Sequence, residues 1–187
     1  MNLLKRITDN EIFGTGGNSL SEQRKTVRVV LLDDDNLASV LYLGKYNFYM
    51  MPGGGIEENE TPEQALHRET QEETGCDSEI ICNLGIIEEN SLIYNYSCLS
   101  LCFLAKIKGE KGLLNLTQEE SDEETQVQWH NLHEILRLIK NQNVDELKLI
   151  RDERSIAIMK FIQERDITLL NEAIKVLTHQ AEEKLCV

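Results

Sequence analysis

The sequence predicts an α/β or α+β domain followed by a helical extension, and three observations carry that expectation. Apolar, β-branched runs recur between residues 26 and 140. Stretches of helical periodicity with clear end signals separate some of those runs. From about Asp145 onward the pattern is helical throughout.

The elements follow in order. A short N-terminal element precedes "GTGGNSLSEQ" (residues 14–23), which reads as a flexible loop. "TVRVVLLDDDNLASVLYL" gives a strand, a turn at "DDDN" and a second strand. "NFYMM" is a third strand and runs into Gly53, Gly54 and Gly55. In "TPEQALHRETQEETG", Thr61 suits the N-cap, Pro62 the first helical position, and Gln64 completes a capping box. Gly75 suits the left-handed residue that ends the helix. "EIICNLGIIEE" and "LSLCFLAKIKG" read as strands, "LTQEESDEETQ" as an acidic loop, "VQW" as the start of a strand and "NLHEILRLIKN" as a helix. "ELKLIRDERSIAIMKFIQE" and "TLLNEAIKVLTHQAEEKL" are the C-terminal helical stretches. The expected organisation is one domain over residues 1–144, including an N-terminal element over 1–25, with residues 145–187 as an extension packed on it.

The chain of 187 residues carries 33 acids against 19 bases, a net charge of −14. Such a surface does not track a nucleic-acid backbone, because phosphate neutralisation needs cations. A polymeric nucleic-acid partner is therefore not expected, whereas divalent cations are. The five cysteines include no CxxC pair. Cys98 and Cys102 lie in an apolar run and read as buried thiols in a reducing compartment. No signal-like N-terminus and no apolar run of spanning length is present, so no membrane partner is expected and the cytoplasm is the expected location.

The chemistry gathers in residues 51–77, "MPGGGIEENETPEQALHRETQEETGCD". On a helix, Glu69, Glu72 and Glu73 are related by i+3 and i+4 and share one face. Three carboxylates there repel one another, and a divalent cation would remove that cost. Mg²⁺ fits best and Mn²⁺ fits too, because no thiolate or histidine pair accompanies the acids. Glycines without Cβ atoms can bring their backbone close to that face. Arg68 can pair with Glu60 or Glu72 and hold the cluster in shape.

The full spacing says more. Gly54, Glu60, Arg68, Glu69, Glu72, Glu73 and Gly75 match G-x5-E-x7-R-E-U-x-E-E-x-G-U at all seven invariant positions. Even with Glu at twice its usual frequency, a chance match in this chain is about one in 10⁵. The sequence therefore resembles the Nudix hydrolase family. The two positions that are normally aliphatic hold Thr70 and Cys76. A weaker likeness in strand order extends over about residues 26–140.

The resemblance implies an α/β/α sandwich with a mixed sheet. It implies hydrolysis of a nucleoside diphosphate linked to a further group, a small-molecule substrate, with the sequence leaving a homodimer open. Carried over by position, Glu69, Glu72 and Glu73 look like metal ligands, with Gly54 beside them. Glu72, Glu73 and Arg68 look like catalytic residues, and Glu60, Gly53, Gly55 and Gly75 like supporting ones. A further acid before a tryptophan-bearing strand is expected to serve as base or extra ligand. Glu119, Glu120, Glu123 and Glu124 precede Trp129, and Glu123 or Glu124 is preferred for nearness to it. A nucleoside triphosphate or other small nucleotide is placed first as substrate. A dinucleoside polyphosphate comes second, with Tyr94 as a weak marker, and ADP-ribose or a nucleotide sugar third. The rival reading is a Nudix-fold regulator that binds a nucleotide without hydrolysing it.

Overall fold

The computed structural model describes residues 1–14, 23–149 and 152–185. The expected loop over residues 14–23 lies, apart from its two ends, outside them. Seven strands form one mixed sheet: β1 (Leu3–Thr8), β2 (Arg24–Leu32), β3 (Ala38–Leu43), β4 (Phe48–Met50), β5 (Asp77–Ser91), β6 (Tyr96–Lys108) and β7 (Thr125–His130). The order is β1-β5-β6-β2-β3-β4, with β7 on β3. β1 runs parallel to β5, and β2 parallel to β6. The remaining pairs are antiparallel.

Helices cover both faces of the sheet. Side chains alternate along a strand, so β2 can serve two cores at once. Val27, Val29 and Leu31 face α2 (Pro62–Thr74), where they meet Ala65, Leu66 and Phe103. Val30 and Leu32 point the other way, into a core with Ile135 and Ile139 of α4 (Leu132–Asn141). Phe161, Leu169, Leu170 and Ala173 close that core from α5 (Glu153–Leu185). This is the expected α/β/α sandwich.

α2 forms as its end signals require. Thr61 accepts the Gln64 N–H, Gln64 returns the bond to Thr61, and Gly75 ends the helix in the left-handed region. Three elements differ from expectation. The N-terminal element is a strand followed by a short helix, α1 (Asp9–Phe13), joined by a Thr8–Glu11 capping box. The acidic segment is not all loop: it holds a helical turn, α3 (Gln118–Asp122). Its cause is legible in the T-x-x-E signature, because Glu120 accepts the Thr117 N–H and Thr117 Oγ1 accepts the Glu120 N–H. The C-terminal stretches join into one 33-residue helix only from Glu153 onward, while Val144–Leu149 form a 3-10 helix before it. No glycine or proline interrupts it, and the polar Arg165–Asp166 step at its middle is buried instead of ending it.

Candidate active site

The site is built where the glycines enter the sheet. β2 borrows them as a partner: Val29 N–H donates to Pro52 O at 3.1 Å and Val27 N–H to Gly54 O at 2.9 Å. A side chain would be obstructed at two of these positions, by backbone at Gly53 and by a movable carboxylate at Gly54. Gly53 has φ +124°, and a Cβ there would fall 2.3 Å from Val27 O. A Cβ on Gly54 would fall 2.3 Å from Glu69 Oε1. The bare backbone is thus pressed against the acidic face of α2.

The acids of that face are held individually. Glu73 is buried and accepts the Gly53 N–H at 2.6 Å. Arg68 reaches Glu60 with two bonds of 3.0 Å and Gly55 O at 2.8 Å. Its Nη1 also donates to Glu69 at 2.8 Å and to Glu72 at 3.2 Å. One guanidinium therefore ties three glutamates to the glycine loop, a task suited to its planar fork of donors.

These contacts set the charge balance. Arg68 holds Glu60 below the usual carboxylate range. Burial pushes Glu69 up, with Arg68 and Arg28 opposing. Burial first, and then the charge of Glu69, push Glu73 up to about 8, against the Gly53 bond and Arg28. Buried acids that repel one another are what a cation relieves.

Glu69, Glu72 and Glu73 line a cavity of about 420 Å³ together with Arg28, Glu120 and Glu123. Among the described residues, no three acidic, histidine or cysteine side chains are drawn together tightly enough to hold an ion as they stand. Arg68 and the Gly53 N–H occupy the acids instead. The donor set still fits a hard divalent cation: carboxylates alone, without thiolate or imidazole, two of them with raised pKa, already gathered around a cation.

The match to known proteins now has a geometry to stand on. The family model described as NUDIX domain matches residues 22–152, more than half of the chain. The chain belongs to the Nudix family. Its segment of 30 residues (16% of the chain) is 67% identical to an 8-oxo-dGTP diphosphatase of Proteus vulgaris, covering 27% of that protein. Over 96 residues (49% of the chain) it is 36% identical to an RNA pyrophosphohydrolase of Zymomonas mobilis, covering 61% of that protein. The chain thus spans less than two thirds of these relatives. In fold it is similar to the NUDIX domain of Shewanella oneidensis NrtR complexed with ADP ribose, with TM-score 0.51 and 22% identity, covering 73% of this chain and 88% of that one.

Within the Nudix site, Gly53, Gly54, Gly55, Arg68, Glu69, Glu72, Glu73 and Glu123 come together on the cavity wall. Glu60 stands behind them, holding Arg68, and Gly75 caps the far end of α2. Gly54 O is engaged by the Val27 N–H, so its clearest contribution is the close approach to Glu69. Glu124 is turned away: its carboxylate packs on Gly44. Glu120 lines the cavity and contributes to the charge felt by Glu73. The side chain of Glu119 lies outside the described ones. Tyr94 packs on Phe13 and lines a separate cavity. Sequence reasoning missed Arg28. The signal was a cation inside the apolar run that follows Thr26 in β2, on the same side as Val30 and Leu32.

Proposed function

We propose that this Nudix protein hydrolyses the phosphoanhydride of a nucleoside diphosphate linked to a further group. The observation that carries the reading is that Glu69, Glu72 and Glu73 line one cavity with the further acids Glu120 and Glu123. Those three residues would hold a divalent cation, Mg²⁺ before Mn²⁺. When bound, the cation supplies positive charge against the anionic phosphate oxygens. Arg68 keeps the three acids oriented through Glu60 and Gly55 O. Glu120 or Glu123 takes a proton from the attacking water. The water oxygen bonds to one phosphorus as the anhydride P–O bond breaks, and the leaving phosphate keeps the electron pair.

A nucleoside triphosphate or other small nucleotide is the first substrate. The name of the Proteus vulgaris relative, an 8-oxo-dGTP diphosphatase, supports that order. The net charge of −14 favours a small ligand over a long polyanion. Tyr94, the marker for a dinucleoside polyphosphate, lies outside the acidic cavity, which keeps that class second. ADP-ribose is third. Among the described residues no helix is long and apolar enough to cross a membrane. Among the described residues, the free thiols of Cys76, Cys82, Cys98 and Cys102 fit a reducing, cytoplasmic compartment.

The test is a panel of nucleoside triphosphates, dinucleoside polyphosphates, ADP-ribose, a nucleotide sugar and a short 5′-triphosphorylated RNA, with Mg²⁺ or Mn²⁺. The expected outcome is phosphate or pyrophosphate release from a small nucleotide, abolished by chelator. Nucleotide binding without product would favour a regulator. Neither binding nor product from any member would overturn the reading.

A further inference from the structure

Arg28 stands on β2, where the alternation of the strand turns Val30 and Leu32 into the α4–α5 core. A guanidinium has five N–H donors and no acceptor, so its burial calls for partners. Arg28 is only 8% exposed, yet neither Nε nor Nη1 has a hydrogen-bond partner. The acids whose charge couples to it are engaged elsewhere, and buried Glu89 accepts from Tyr96 and Ser100. Glu69 accepts from Arg68 and Glu73 from the Gly53 N–H. Asp166 accepts from Arg165 Nε and from the Met51 N–H. Burial and the nearby Arg165 lower the pKa of Arg28, while Asp166 and Glu73 oppose them.

A cation buried with idle donors costs stability, and a wholly apolar side chain would fill this place in the strand more cheaply. The position has one further property: Arg28 lines the acidic cavity, beside Gly53, Gly54, Glu69 and Glu73. A diphosphate held there carries several anionic oxygens. A cation among the acids can meet some of those, and Arg28 on the same cavity lining can meet others.

We propose that Arg28 is a substrate-binding residue whose guanidinium donates to an anionic phosphate oxygen of the diphosphate. The inference deepens the proposed function and rests on it for the identity of the anion. Because no hydrogen bond pins Nε or Nη1, rotation about the last side-chain torsions turns the donor edge toward the cavity. The planar fork then matches two oxygens of one phosphate, which an ammonium cannot do. Anion binding thereby satisfies the donors that the folded protein leaves idle.

Methylenediphosphonate, a diphosphate that cannot be hydrolysed, is the probe. Its binding in Mg²⁺ is measured calorimetrically for the wild type, Arg28→Gln and Arg28→Lys, with Mg²⁺ binding alone measured separately. Arg28→Gln is expected to weaken diphosphonate binding at least tenfold, with Arg28→Lys between it and the wild type and Mg²⁺ affinity within twofold throughout. In the wild type, the Arg28 Nε–H resonance, identified by its loss in Arg28→Lys, is expected to shift when diphosphonate is added. This second measurement decides the matter should Arg28→Gln fail to fold. Diphosphonate affinity within twofold of wild type in Arg28→Gln overturns the proposal. So does an unmoved resonance at saturation, or a parallel loss of Mg²⁺ and diphosphonate binding in a folded variant. A wild type that binds diphosphonate through Arg28 but cleaves no nucleotide would sink the hydrolase reading and leave this one standing.

Discussion

Glu73 Oε2 accepts the Gly53 backbone N–H at 2.6 Å, so one bond joins the acidic helix to the glycine loop. An amide oxygen can accept the same bond. Glu73→Gln should therefore keep the loop in place while removing the negative charge. Turnover is expected to fall by about 10² or more, the scale on which lost charge stabilisation acts. Glu72→Gln should behave alike, since Glu72 is only half-buried and its amide oxygen can still accept from Arg68. Thermal unfolding and kcat with saturating Mg²⁺ check both points. Wild-type turnover in the two variants would refute the metal assignment.

The same carboxyl makes the metal-free protein pH-sensitive. Its folded pKa of about 8 lies above the usual 4.5. The folded state thus favours the protonated acid, and its contribution to stability is complete below about 4.5. That contribution is lost as pH rises through about 8. Burial raises Glu69 as well, with the same sign. In chelator, Tm should fall between pH 5 and 8, and Glu73→Gln should flatten the slope. Mg²⁺ needs the ionised form, so the rise in Tm that it confers should grow with pH over the same range. Parallel pH profiles for wild type and Glu73→Gln would contradict this account.

Two glycine substitutions should separate packing from chemistry. Gly53→Ala combines a positive φ with a Cβ placed 2.3 Å from Val27 O, a backbone atom held in the sheet. It should cost about 1–3 kcal/mol of stability in urea denaturation. In Gly54→Ala the clash is with Glu69 Oε1, the end of a side chain that can move. Stability should suffer less there, and Mg²⁺ affinity more, at least tenfold. Equal losses of both quantities in the two variants would show that the loop only packs.

Much of this was legible because the deciding signals are local. The Thr61–Gln64 box, Pro62 and Gly75 delimit α2, and the box spacing identifies the acids on it. The apolar, β-branched run in "TVRVVLL" announces a strand. What escaped depends on contacts distant in sequence. The preference for Glu123 and Glu124 rested on closeness to Trp129 along the chain. A left-handed residue at Glu124 (φ 58°) redirects the backbone there and sends its side chain to Gly44. The α3 turn that presents Glu120 was written in a T-x-x-E signature masked by the surrounding acids. Nothing local in "QERDITLL" tells that Arg165 and Asp166 are buried beneath the glycine loop.

The acidic segment gives a prediction that tests this geometry. Glu120→Gln and Glu123→Gln should lower kcat with little change in KM, because both residues line the cavity. Glu124→Gln should leave turnover within about twofold, a barrier change of about 0.4 kcal/mol. A large loss in Glu124→Gln alone, with the other two unaffected, would mean that chain proximity to Trp129 is the better guide.

The last prediction concerns α5, whose Asp166 lies beyond the family match over residues 22–152. Its Oδ2 accepts the Met51 N–H at 2.9 Å, and its Oδ1 accepts Arg165 Nε at 2.8 Å, all in the interior. Met51 is two residues before Gly53, so Asp166 anchors the loop on which Glu73 rests. Asp166→Ala leaves a buried amide and a buried guanidinium without this partner, and should destabilise the fold by about 3–5 kcal/mol. Asp166→Asn separates the two jobs. Its amide oxygen can still hold the Met51 N–H, but the charge opposite Arg165 is gone, leaving Glu89 at 4.0 Å as the remaining acid. Stability should drop in Asp166→Asn, while kcat per folded molecule stays near wild type. In an Asp166→Ala protein kept folded by low temperature, the unanchored loop should lower kcat as well. Denaturation midpoints and active-site-normalised kcat for the three proteins distinguish these outcomes. Full turnover in folded Asp166→Ala would show that the C-terminal helix only covers the sheet and does not position the site.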